Sequence, residues 1–452
     1  MKRVVGLTVS TILLILVIAG CGSGSKTTAT SGSGQLMVTM GDAPSDSIIA
    51  FGLTVNSMTL VGGGNPTVIS TATPIEFVRN AGTFQPLVTA KLSAGTFTGA
   101  TIMVSNPKVV AIDTTTHLPV TLTAALSTTT VNVTFNTPLT ISTGTVEADF
   151  DLDLANSVTI NGTTATINPV FHVSSKIVHD QDNDDFKDVH GAVVSVSAPN
   201  FTIASREMAQ MFTFATDSNT TFQGITGLSQ LSAGMIVEVD AQMQSDGTLL
   251  AKRVEVEEDS DDGMEVEGFI SSVMGTPATQ FTLNNGFESG PIAALFDLLG
   301  IGTDITVNLN STTTFSVSDT AAINLSGLTV NFDANNLGKA QRVDAGALHQ
   351  ASFTTTGGLV LTADRVRLRQ QSLRGTVSNF SGSTPGTFTL TLASDSAFAL
   401  LTGQTTLTVQ LVSTTSEDMP VANGGAVRVR GLLFFNGSSK TYTLVASHVG
   451  QQ

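Results

Sequence analysis

The sequence predicts an all-β protein: an N-terminal β-sandwich followed by three tandem small OB-like five-stranded β-barrels. Three observations carry that expectation. Thr, Ser, Val and Gly dominate a chain with 12% charged residues, no Trp and a single Tyr, a composition that suits strands and tight turns. Apolar residues alternate at period two in several stretches with no long helical stripe between them. Beyond residue 185 the chain repeats itself three times in one internal order, as tandem units do. At 452 residues it exceeds what a single core holds, so several domains are expected.

Residues 1–20 read as a lipoprotein signal peptide. Lys2 and Arg3 form a charged start, and Val9 to Ile18 is an aliphatic run, short for a membrane span but right for the apolar part of an export signal. It closes on Ile18-Ala19-Gly20-Cys21, which carries the only cysteine. A small-small-Cys ending resembles the lipobox of bacterial lipoproteins, and the resemblance implies that Cys21 becomes a lipidated amino terminus after cleavage. The alternative is an ordinary secretory signal with an incidental cysteine, although a lone thiol has no evident use outside the cytoplasm. Residues 21–34 then make the lipidated Cys and a flexible tether of Gly, Ser, Thr, Ala and one Lys, which cannot bury a core. Gly22 stands where such lipoproteins carry an Asp for inner-membrane retention, so in a host with two membranes the outer one is favoured.

Charge narrows the partners. Loss of Lys2 and Arg3 leaves 18 basic residues (20 − 2) against 36 acidic ones, a net charge of −18. Nucleic acid is a poor partner for such a chain. The expected contacts are the membrane, through the lipid anchor, and an envelope or extracellular ligand.

Residues 35–175 form the first folded unit. Phe51, Leu53 and Val55 share one strand face, as do Val131, Val133 and Phe135, and then Val146, Ala148, Phe150, Leu152 and Leu154. Gly62-Gly63-Gly64-Asn65-Pro66 and Asn161-Gly162 supply turns. A sandwich of about seven or eight strands satisfies this pattern. The pieces Gly34-Gln-Leu-Met-Val38, Asp42-Ala43-Pro44, Leu92-Ser-Ala-Gly95-Thr-Phe97 and Phe150-Asp-Leu-Asp-Leu154 resemble domain-of-unknown-function family 4382, found at the front of bacterial lipoproteins. That resemblance implies no assigned activity.

An acidic linker follows at 176–190. Asp180, Asp182, Asp184, Asp185 and Asp188 alternate hard oxygens along one segment, as a calcium loop does. The pattern departs from an EF-hand, with Asp185 where the sharp turn needs Gly and Gly191 where a bidentate Glu should close the shell. Those departures favour a solvated linker; if an ion binds, calcium is the cofactor and these five are its ligands. His172, His179 and His190 flank the segment at spacings that match no standard transition-metal pattern. Glu257 to Asp262 reads as a second charged linker. Glu147, Asp149, Asp151 and Asp153 share one strand face, where solvent exposure is the expected remedy for repulsion.

The repeats span 191–258, 264–370 and 373–452. Each opens on a glycine (Gly191, Gly268, Gly375), continues into a Phe-Thr strand (Phe201, Phe281, Phe388) and closes on one tetrapeptide pattern, Ala251-Lys-Arg-Val254, Ala363-Asp-Arg-Val366 and Ala446-Ser-His-Val449. Gly191 and Gly268 stand 77 residues apart, Gly268 and Gly375 107, so the middle copy carries an insertion. It fits the region around Pro291 to Gly300, where Ile292, Leu295, Phe296 and Leu299 have helical spacing. Five strands with a short helical element between the third and fourth is the OB-fold arrangement. The copies resemble domain-of-unknown-function family 5666. His448 fills the slot that Arg fills in the other copies, as an edge-strand residue would.

No nucleophile elbow, phosphate loop or zinc-protease signature occurs. The expectation is therefore a non-enzymatic, surface-anchored envelope lipoprotein that serves adhesion, scaffolding or partner binding, with a calcium-dependent ligand-binding protein, carbohydrate among its candidate ligands, as the alternative. An uncharacterised hydrolase is the third class, for which no nucleophile, base and orienting group can be named together.

Overall fold

The computed structural model describes residues 32–43, 47–179, 185–205, 207–257, 264–289, 300–318, 323–347, 353–354 and 359–451. The chain is all-β, with five sheets among these residues. None of their helices is long and apolar enough to cross a membrane.

The N-terminal unit is a sandwich of a four-stranded and an eight-stranded sheet. The first runs Phe171–Ile177, Thr145–Asp153, Ser33–Ala43, Phe84–Ser93. The second is built around the long antiparallel pair Ile48–Gly62 and Gly95–Ile112. The faces that alternate in the sequence meet between the sheets: Leu36, Val38 and Met40 pack with Phe51, Leu53, Val133, Phe135, Phe150 and Leu152 in one core. Strands outnumber the seven or eight expected because Thr67–Ile69, Thr73–Glu76, Val158–Asn161 and Thr164–Ile167 are only three or four residues long, too short to leave a periodic signal.

The three repeats share a single strand order, 1-2-3-5-4 around the ring, in which strands 3 and 5 run parallel. In the third repeat the ring is Gln370–Ser378, Gly386–Thr391, Thr406–Glu417, Thr441–Gln451 and Ala426–Asn436, a closed barrel. In the first it is Asp185–Ser197, Asn200–Ala204, Phe212–Ala215, Leu249–Glu257 and Ile236–Met243, closed by the parallel pair Phe214 with Leu249. In the second, strand 5 breaks at Ala363-Asp364: Leu359–Thr362 pairs with strand 3 (Asp304–Asn308) and Arg365–Leu368 with strand 4 (Arg342–Ala347).

The repeated motifs have structural causes. A Cβ on Gly268 would stand 1.9 Å from the Asn284 carbonyl oxygen, one on Gly375 2.4 Å from that of Thr391, and one on Gly191 2.8 Å from that of Ala204. Strand 1 therefore crosses strand 2 too closely for any side chain. In the closing tetrapeptides, Ala251, Ala363 and Ala446 and Val254, Val366 and Val449 are fully buried in the barrel cores. The Arg or His just before each valine points outward at equivalent registers, Thr221 opposite Arg253, Thr314 opposite Arg365 and Ser416 opposite His448.

Three expectations change. The acidic linker is shorter than 176–190, because the first barrel strand starts at Asp185 and buries Phe186 and Val189. The short helix lies between strands 3 and 4 in the first repeat only as the single turn Leu228–Gln230. In the third, Ala397–Thr402 falls between strands 2 and 3, started by the Ser396 cap and stopped by Gly403 in the left-handed region (φ 74°). The middle insertion is not confined to the Pro291 to Gly300 region, most of which lies outside the described residues. Residues 318–341 connect strands that the first repeat joins with 224–235, half that length.

The units are fused, not strung out. Met37 of the sandwich is part of the first barrel's core, Ile49, Ala50, Val110 and Ile112 pack into the third's, and Val412, Leu432, Phe434 and Val445 of the third pack with the second's.

Candidate functional site

Cys21, Asp180, Asp182 and Asp184 lie outside the described residues, as do His349 and most of the second charged linker. Asp185 and Asp188 belong to a strand that pairs with Ile236–Met243, Asp185 opposite Gln242. An extended backbone rising about 3.3 Å per residue does not wrap an ion, so from Asp185 onward the segment is not a loop. Among the described residues no three His, Cys, Asp or Glu side chains are grouped to hold a metal ion. The histidines are dispersed: His172 Nε2 lies 3.3 Å from Asp153, His179 is exposed, and His190 is buried between two barrels.

The acidic strand face departs from the expected exposure. Glu147 and Asp149 are 3% and 7% exposed. Asp149 accepts hydrogen bonds from Thr39 Oγ1 (2.7 Å) and Ser174 Oγ (3.2 Å), and Lys176 Nζ stands 3.7 Å from Glu147. The cause is docking of the first barrel on this sheet: Thr145 Oγ1 donates to the Ser245 carbonyl, and Ala209 N–H to that of Leu87. Only the far end, Asp151 and Asp153, keeps partial exposure, and Asp153 caps the short helix Leu154–Ser157.

The largest concentration of charge is a buried network where sandwich and barrels meet. From the sandwich, the turn Val78–Asn80 presents Arg79, whose Nε lies 3.2 Å from Glu267 and Nη1 3.1 Å from Glu207. Glu267, on strand 1 of the second barrel, also faces Arg342 at 2.6 Å, and Arg342 donates to the Arg79 carbonyl. Arg369, at the junction of second and third barrels, reaches Glu238 of the first at 2.7 Å, with His190 beside both. Arg253 spans Glu238, Asp240 and Glu255, while Arg367 spans Asp344 (2.8 Å) and Glu255 (2.7 Å). From the third barrel, Ser372 Oγ and Arg430 Nη1 both donate to the Ala81 carbonyl, at 2.8 and 2.9 Å.

Burial alone would push the Glu238 carboxyl up; Arg369, the hydrogen bond from His190 and Arg367 instead hold it well below the usual range. Glu267 is lowered in the same way, with burial overcome by Arg342, Arg79 and Arg369. Two carboxyls nearby behave oppositely. Asp42 is 1% exposed with neither oxygen hydrogen-bonded among the described residues, and burial, with Asp151 and Glu76 adding to it, raises its pKa well above the usual value. Glu76 is raised to about 7 by burial, against backbone N–H donors from Phe51 and Arg79.

Sequence reasoning missed this network, yet a signal exists. Glu238-Val-Asp240, Arg253-Val-Glu255, Glu265-Val-Glu267 and Arg365-Val-Arg367-Leu-Arg369 alternate charged and core residues at period two. In one barrel that face reads as solvated; it is buried only because the barrels dock.

A second feature is an open cleft of about 360 Å³ between residues 327–336 of the long second-barrel connection and the outer face of strands 3, 5 and 4 of the third barrel. The connection is pinned there. Gln341 Nε2 donates to the Leu433 carbonyl (2.9 Å), Tyr442 Oη to that of Lys339 (3.0 Å), and Asn324 N–H to Thr414 Oγ1 (3.0 Å). Among the described residues no charged side chain lines the cleft.

Two solved structures are similar to parts of the chain. One is described as drosophila Unr CSD456, at 12% identity over 58% of this chain and 96% of that one, with a TM-score of 0.12. The other is a multidomain protein with nucleic acid binding domains from Streptococcus pneumoniae, at 11% identity over 57% of this chain and 72% of that one, also at 0.12. Similarity this slight carries no argument about fold or function. No curated protein matches the chain significantly. Residues 190–255, the first barrel, match the sequence family described as Domain of unknown function (DUF5666).

Proposed function

We propose that the chain is a non-enzymatic lipoprotein of the cell envelope, anchored through Cys21, that presents its sandwich and barrels as one body for adhesion, scaffolding or partner binding. The observation that carries this reading is the buried network. The acids and bases that acid-base chemistry would use, Glu238, Glu267 and His190 above all, are held by cations of neighbouring units, Glu238 and His190 by Arg369 and Glu267 by Arg79, an arrangement that orders an assembly and, among the described residues, leaves beside Glu267 a cavity of only about 10 Å³. The lipobox resemblance, the tether and the acidic surface support presentation away from a membrane.

Palmitate labelling and membrane fractionation test the anchor. Native protein should take up label and sediment with membranes, and Cys21→Ala should do neither. Equal labelling of both proteins, or native protein found free in the periplasm or medium, contradicts the proposal.

A further inference from the structure

We propose that the cleft between the long second-barrel connection and the third barrel binds a neutral saccharide. Its lining is unusual for so acidic a chain: eight hydroxyl or amide side chains, two phenylalanines and no charged group. Several of the polar groups are uncommitted. Thr329, Asn331, Thr408 and Thr443 make no side-chain hydrogen bond among the described residues. Gln410 donates through Nε2 to the Gly386 and Leu411 carbonyls, and Asn436 accepts through Oδ1 from Ser438 and Ser439, which leaves Gln410 Oε1 and Asn436 Nδ2 for a ligand.

Amides and hydroxyls that both donate and accept match the vicinal hydroxyls of a sugar, which do the same. Among the described residues the lining offers a charged ligand no counter-ion, Lys440 Nζ standing 5.6 Å over the ring of Phe435, and the chain around it carries a net charge of −16. A peptide adding itself as a strand would need a free backbone edge; strands 3 and 5 are paired on both sides, and where strand 4 runs past its pairing with strand 1 at Leu432 the connection already lies along it, Gln341 Nε2 donating to the Leu433 carbonyl and Asn336 Oδ1 accepting from the Gly437 N–H. The volume falls within the range of small-molecule sites, about 300–1,000 Å³. The cleft also exists because of the extra length of the middle repeat, so it explains a feature of the sequence that barrel formation alone leaves without a purpose.

The site gives the presented body a ligand class and rests on that reading only for where the ligand is met. Binding in solution and recovery with membranes are separate measurements, so either can fail alone. The chain has no Trp and one Tyr. That Tyr442 is buried in the third-barrel core beside Phe398 and does not line the cleft, so binding is read by calorimetric titration.

Titration of the full chain with a panel of neutral gluco-, manno- and galacto-oligosaccharides, with hyaluronan oligosaccharides and an unrelated neutral peptide as controls, tests the proposal. At least one neutral oligosaccharide should give a saturable heat of binding. Asn331→Ala and Thr408→Ala, both at exposed positions, should each weaken it at least tenfold with unchanged melting curves. Thr202→Ala, on the first barrel, should leave it intact. No saturable response to any neutral member at millimolar concentration, a preference for hyaluronan or the peptide, or undiminished binding by both cleft variants overturns it.

Discussion

Arg253 and His448 occupy one position in two copies of a single barrel, each opposite a residue of a parallel strand, Thr221 on the short strand Thr221–Gln223 and Ser416 on strand 3, and they meet different surroundings. The Arg253 side chain is 6% exposed and spans three carboxylates, whereas that of His448 is 29% exposed and contacts Asp418 (3.1 Å) and Ser416 (2.9 Å) at the surface. Arg365, the third equivalent, is intermediate: 18% exposed and 2.6 Å from Glu265. Barrel geometry fixes the register and the outward direction of this residue; the neighbouring unit decides its chemistry. Where another unit covers the face, a guanidinium with several donors satisfies the carboxylates that docking strips of water. In the third barrel the docking role passes to Arg430 on strand 4, directly opposite His448, which reaches the sandwich at Ala81.

Variants along this gradient should give graded effects. Glu238→Gln removes the charge that faces Arg253, Arg369 and His190, stranding buried cations at a cost of about 3–5 kcal/mol. A fall in melting temperature no greater than that of a surface variant would break the comparison. Arg365→Met, at the part-exposed equivalent, should cost about 1 kcal/mol. His448→Ala should fall within about 0.5 kcal/mol. Chemical denaturation of the three proteins checks the order, and a reversal would place the interface elsewhere.

Acidity sharpens it further. Glu238 and Glu267 are held below the ordinary glutamate value of 4.5, so the unfolded chain takes up protons that the folded chain refuses. Their stabilisation is complete above that value and is lost as pH falls below it. Glu76 and Asp42 work in the other direction. Their raised values make the protonated folded form the preferred one, so their stabilisation is present at low pH and is lost as pH rises, for Glu76 between 4.5 and about 7. Melting temperature against pH should therefore fall steeply on the acid side in the native protein. Asp42→Asn should raise it at pH 7 and leave it unchanged near pH 3; a loss of stability at pH 7 would mean that the carboxylate is paired after all.

Much of the fold was legible because a strand buried on one face writes itself at period two. Phe51, Leu53 and Val55, the Gly openings and the Ala-Val closings each reappear in the structure with a packing reason. The burial of Glu147 and Asp149 was not legible, since alternation marks a second face without saying whether water or another unit lies on it. For the same reason the alternating charges of Glu238-Val-Asp240 and Arg365-Val-Arg367-Leu-Arg369 gave no sign of an ionic network. The cleft escaped because its walls come from 327–336 and from strands about eighty or more residues later, a juxtaposition that the repeat lengths hint at and only the docked barrels produce.

Carboxyl footprinting with a water-soluble carbodiimide, read by mass spectrometry on the intact chain, tests most directly whether these charged faces are an interface. Glu238 and Glu267, with side chains 0% and 6% exposed, should remain unlabelled in the folded protein, while Asp418, at 58%, is modified readily. Labelling of Glu238 and Glu267 at the rate of Asp418 would mean that the barrels stand apart in solution, with their charged faces in water.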